Sequence, residues 1–183
     1  MLNRALLILV ALPSIGISQA SQSDAILRSA RDRISSQCDN WFKDGKFLPV
    51  IQAQEFVVGS IPEDEETWSN LIWMYMNIER ADLQWECSRR FSEANPGYKD
   101  ANYYTAEFLY LKRQYAKIPS IVEPMIEKLP HPDANCYRFL ANSYDKMGYY
   151  QDSLRVWDAY LLVNPQDGQA KVNRSKVFER LKK

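Results

Sequence analysis

Residues 134–167 read ANCYRFLANSYDKMGYYQDSLRVWDAYLLVNPQD. Tyr137, Leu140, Ala141 and Tyr144 stand at i, i+3, i+4 and i+7, one face of a helix. Gly148 follows, a residue able to take the positive φ that ends a helix. Tyr150, Leu154, Trp157 and Leu161 make the stripe of a second helix. Asn164-Pro165 closes it, because a residue before proline avoids the helical region. The segment predicts a hairpin of two helices.

The same landmarks recur upstream. Pro62, Pro96, Pro130 and Pro165 are separated by 34, 34 and 35 residues. Trp41, Tyr75, Leu109 and Tyr144 keep that step, as do Phe47, Ala81, Tyr115 and Tyr150, and Ile34, Trp68, Asn102 and Tyr137. One hairpin cannot bury its apolar stripe alone. A fixed period of this size therefore means stacked supersecondary units sharing one continuous core.

The pattern resembles the tetratricopeptide repeat family: an aromatic, Leu, a small residue and Tyr on the first helix, then a small residue, an aromatic and Pro. Residues 134–167 match through Tyr137, Leu140, Ala141, Tyr144, Gly148, Tyr150, Ser153, Trp157 and Pro165. Residues 65–98 match through Trp68, Leu71, Tyr75 and Pro96. Residues 99–133 match through Ala106, Leu109, Tyr115, Ile118 and Pro130, and residues 31–64 through Trp41, Gly45, Phe47, Val50 and Pro62. The resemblance implies an all-α, right-handed α-solenoid of four such hairpins with a capping helix over about 168–182. Departures fall in the middle units. Ile72 takes a small-residue site, Glu79 and Arg113 take the turn glycine, and Gln84 sits where helices should approach closely. Pro119 suits a first helical turn, whereas Pro124 should kink or shorten its helix. Asp167 is the expected cap of the last helix, with Ala170, Val177, Phe178 and Leu181 on one face and cations around it. Ser23 or Asp24 is the expected cap of the first.

Residues 1–20 have another character. Arg4 is followed by an apolar run, Ala5–Ile17, too short to span a bilayer, and then by Ser18-Gln19-Ala20. This is the layout of a cleavable secretory signal, so residues 21–183 are expected to be exported, periplasmic in a bacterium and secreted otherwise, with no stable membrane anchor after cleavage. Cys38, Cys87 and Cys136 read as buried small apolar residues. An odd count cannot close as a full disulfide framework, and a Cys38–Cys87 bridge stays open.

Formal net charge is zero and charged residues make up 25%, which announces no nucleic-acid partner. Enzymatic readings are poor. The one histidine, His131, lies between Pro130 and Pro132, so no Ser or Cys can draw on a second one. Phosphate loops, zinc spacings and dinucleotide fingerprints are absent, and no cofactor or metal is called for.

In the resembled family the first helices line a concave groove that holds partner peptides. The residues interleaved with the core are then the groove: Ser35, Asp39 and Phe42; Ser69, Trp73 and Met76; Tyr103, Glu107 and Tyr110; Arg138, Asn142 and Asp145. Trp73, Met76, Tyr103 and Tyr110 stand out, since the core pattern is complete without them. Arg138 and Asn142 also match a basic–Asn pair with which some members grip a terminal carboxylate, although only Asn173 follows to complete it. The expectation is a scaffold or adaptor for a protein or peptide. The alternative is a self-associating subunit, because residues 21–98 carry five excess acids and residues 99–183 four excess bases.

Overall fold

The structure is a computed structural model of the 183-residue chain and describes residues 16–98, 102–128 and 132–182. Pro130 and His131 lie outside the described residues. Every regular element among those described is helical. The helices are α1 (Gly16–Lys43), α2 (Phe47–Ser60), α3 (Glu65–Asn77), α4 (Ala81–Ala94), α5 (Tyr103–Leu111), α6 (Ile118–Lys128), α7 (Ala134–Met147), α8 (Tyr150–Val163) and α9 (Gly168–Leu181). A 3-10 turn, Tyr115–Lys117, leads into α6. The chain divides into two compact units, residues 1–53 and 54–183, with the division inside α2.

In the first unit α1 runs for 28 residues. It passes straight through Ser23 and Asp24, so neither is a cap; this corrects the expected helix start. Ile26 and Leu27 are exposed, Cys38 is buried, and the rings of Phe42 and Phe47 lie 5.5 Å apart across the turn after α1.

In the second unit the hairpins α3/α4, α5/α6 and α7/α8 follow one another, and α9 packs on α8. Trp68, Leu71, Ile72 and Phe91 are buried in the first of these. Ala106, Leu109, Val122, Leu140, Ala141, Val156, Trp157 and Val177 belong to one buried cluster that runs from α5 to α9. Each side chain of Leu or Trp size so buried contributes about 1.5–3 kcal/mol relative to exposure. Cys38, Cys87 and Cys136 are all buried, and none of them forms a disulfide. Burial pushes the Cys87 thiol up to about 12, so it behaves as an inert apolar group.

The four hairpin turns share one backbone solution. Gly45, Glu79, Arg113 and Gly148 all have positive φ, at 72°, 57°, 57° and 82°. At each, the left-handed residue's N–H bonds the carbonyl three residues back. The next N–H bonds the carbonyl five back: Lys46 to Trp41, Arg80 to Tyr75, Gln114 to Leu109 and Tyr149 to Tyr144, at 2.8–2.9 Å. This is the Schellman closure, and it satisfies carbonyls that a helix end leaves bare. The recurring residues Trp41, Tyr75, Leu109 and Tyr144 are thus also the acceptors of the turns. Glu79 and Arg113 adopt the same shape without glycine's freedom, against a cost of about 1–2 kcal/mol each.

Pro119 falls in the first turn of α6, as expected, and the three residues before Ile118 wind as 3-10. The helix runs on through Pro124 to Lys128, the position matching Val163 at the end of α8, so the expected shortening at Pro124 does not occur. Pro124 lies inside α6 and supplies no N–H to the helix.

The seams between hairpins differ. Glu55 of α2 accepts from Tyr75 Oη at 2.8 Å and from Arg90 at 2.9 Å. Glu123 of α6 accepts from Tyr144 Oη at 2.8 Å and from Arg155 at 2.5 Å. Asp158 of α8 pairs with Arg174 of α9. At the corresponding place in α4 stands Arg89, which pairs with Glu86 and Glu93 of its own helix. Among the described residues no ion pair joins α3/α4 to α5/α6. That seam is uncharged: Trp85 lies on Phe108 at 5.3 Å and Phe91 near Tyr104 at 6.0 Å, Tyr104 Oη donates to Ser69 Oγ at 2.8 Å, and the Thr105 hydroxyl bonds the Ser88 carbonyl and the Ser92 hydroxyl.

Candidate partner-binding face

The first helices of the three hairpins in the second unit, α3, α5 and α7, place their interleaved residues in register. Ser69, Tyr103 and Arg138 correspond, as do Trp73, Glu107 and Asn142, and Met76, Tyr110 and Asp145. The Tyr104–Ser69 bond and the packing of α5 on α7 hold the helices side by side.

On α3, Trp73 is 46% and Met76 43% exposed, while Trp68, Leu71, Ile72 and Tyr75 fill the buried side. Met76 continues into a cleft of about 390 Å³ with Glu79, Ala81, Gln84, Phe108, Leu111 and Lys112. Leu111 is 64% exposed at its rim. The buried Gln84, expected to hinder helix approach, forms part of the floor.

On α5, Tyr103 and Tyr110 differ from the expectation that they stand clear of the core. Both are half-buried, because Phe139 of α7 sits between them with centroids at 5.8 and 5.4 Å. Phe139 was not singled out from the sequence; the signal lay in its register with Tyr104, one repeat earlier. Tyr103 Oη donates to Glu107 at 2.9 Å. Burial first, and then that carboxylate, push the Tyr103 phenol well above its ordinary value.

On α7 the polar groups are drawn inward. Arg138 donates to Asp167 at 2.7 Å and lies over the Tyr160 ring at 5.9 Å. Asp167 caps α9 by accepting from Ala170 N–H, and also accepts from Tyr160 Oη at 2.8 Å. The Ala170 N–H, then Arg138 and Tyr160, hold its carboxyl well below the usual carboxylate range. Arg138 is therefore committed within the chain, which removes it from a carboxylate grip with Asn142. Asp145 pairs with Arg180 of α9, and its Oδ1 is buried without a hydrogen-bond partner.

In the first unit, Phe42 is 40% exposed on α1. On α9, Ala170 and Val177 are buried, but Phe178 and Leu181 are each 40% exposed, so the expected four-residue apolar face is only half covered. Lys182 lies over the Phe178 ring at 4.3 Å. Among the described residues no group of three His, Cys, Asp or Glu is placed to hold a metal ion, and no helix is long and apolar enough to cross a membrane.

No protein-family model matches the sequence, and no curated protein matches it. Solved structures do resemble it. A crystal structure of MamA protein shares 19% identity over 82% of this chain and 87% of that one, with a TM-score of 0.59. A second MamA crystal structure shares 20% over 79% and 90%, with a TM-score of 0.58. MamA from residue 41 to its end, from Desulfovibrio magneticus RS-1, shares 13% over 82% and 90%, also at 0.58. At these identities the likeness shows the fold, an all-α solenoid of tetratricopeptide-like hairpins ending in a C-terminal helix.

Proposed function

We propose that the chain is an exported scaffold that holds a protein or peptide partner on the face made by α3, α5 and α7. The observation that carries this reading is the exposure of Trp73 and Met76 on a helix whose buried side is complete without them. A large aromatic and a methionine held at the surface of a rigid element are what an interface anchor requires. The resemblance to MamA structures supports the scaffold architecture and leaves the partner to be found. Export rests on the leader-like residues 1–20.

Crosslinking with mass spectrometry in the native host identifies the partner, and a Trp73→Ala/Met76→Ala variant tests the face. The expected outcome is loss of capture of that partner by the full chain, with helical circular dichroism unchanged. Capture by the double variant at the level of the parent chain overturns the reading.

A second reading, self-association, is favoured by the opposite charge excess of residues 21–98 and 99–183 and by the exposed Val172, Phe178 and Leu181 of α9. Light scattering at low and high salt separates the two. A salt-sensitive oligomer supports self-association, and a monomer at both salts excludes it.

A further inference from the structure

We infer that the partner segment is basic, and that Glu107 receives an arginine or lysine side chain from it. This rests on the reading of α3, α5 and α7 as the binding face and names the chemistry of its occupant.

Glu107 is the central residue of the three-by-three register, flanked by Trp73 and Asn142 across the helices and by Tyr103 and Tyr110 along α5. Tyr103 Oη engages its Oε1. Among the described residues no lysine or arginine pairs with Glu107. The cations nearest this face in the register are already neutralised, Arg138 by Asp167 and Arg180 by Asp145. Asp133, the N-cap of α7, adds a further negative charge near Tyr103. Glu107 and Asp133 therefore leave negative charge at the centre of the face, beside the rings of Tyr103, Tyr110 and Phe139, while Lys112, over the Phe108 ring, stands with Glu79 in the neighbouring cleft. A guanidinium or ammonium group satisfies both features at once, by pairing with the carboxylate and resting on a ring face. An anionic segment is repelled by the same carboxylates.

Fluorescence anisotropy on the full chain at low salt, with labelled, end-blocked hexapeptides, tests the inference. The probes are Arg-Ala-Arg-Ala-Arg-Ala, Glu-Ala-Glu-Ala-Glu-Ala and Leu-Ser-Leu-Ser-Leu-Ser. The arginine peptide is expected to bind most tightly. Glu107→Gln, which keeps an acceptor for Tyr103, is expected to weaken it about fivefold, whereas Glu93→Gln, on the exposed side of α4, leaves it unchanged. Arginine-peptide binding no tighter than that of the glutamate peptide, or indifferent to Glu107→Gln, overturns the inference. If the Leu-Ser peptide binds best and Trp73→Ala/Met76→Ala removes it, the basic occupant is wrong and the binding face stands. If neither variant alters any peptide's binding, both fail.

Discussion

In α7, Arg138, Phe139 and Asp145 are each engaged by another part of the chain: by Asp167, by Tyr103 and Tyr110, and by Arg180. In α3, at the positions matching Asn142 and Asp145, stand Trp73 and Met76, 46% and 43% exposed. The two helices share a repeat, a turn geometry and buried leucines at equivalent places, Leu71 and Leu140. What separates them is their neighbours. α7 has α9 beyond it to supply Arg180, and the linker before α9 supplies Asp167. The polar face of α7 thus works to close the stack, and on the proposed reading the exposed Trp73 and Met76 of α3 meet the partner.

The comparison breaks most decisively at the core. Leu71→Ala and Leu140→Ala are each expected to cost about 2–5 kcal/mol in urea unfolding, since both leucines are all but fully buried. Similar losses mean equivalent hairpins, and a loss at one site alone means that the shared repeat hides unequal packing. Next comes Asp167→Ala, which removes the α9 cap and the partner of Arg138 together and is expected to lower the melting temperature at neutral pH. Because the folded carboxyl titrates below its unfolded value of about 3.9, its contribution is complete above that value and fades as pH falls towards the depressed one. The gap between variant and parent should therefore shrink in acid, and a gap as wide at pH 2 as at neutral pH points to lost packing instead. The smallest effects lie in the turns. Gly148→Ala meets no atom within 4 Å, so its expected cost of about 1 kcal/mol is purely conformational. Glu79→Gly is expected to stabilise by about as much, as read from thermal unfolding.

The period was legible because core spacing is local. Tyr137, Leu140, Ala141 and Tyr144 announce a buried helix face whatever lies beyond it, whereas Pro124 misleads, since α6 runs on past it to Lys128. The turns were legible at Gly45 and Gly148. They were not at Glu79 and Arg113, where tertiary packing imposes a left-handed residue that the side chain resists. The face was legible in part. Trp73 and Met76 follow from a core already complete, but the half-burial of Tyr103 and Tyr110 depends on Phe139 of another helix, some 30 residues away in sequence. Arg138 misleads for the same reason, since its partner Asp167 belongs to the following linker.

Arg89 stands where Glu55, Glu123 and Asp158 each tie one hairpin to the next, and it turns back on its own helix. In a linear array each module is cooperative with its neighbours only through their shared boundary. The helices α5 to α9 should therefore open as a single foldon, with amide protection that fades at the junction with α4. Hydrogen exchange would show a step there instead of a smooth gradient along the chain.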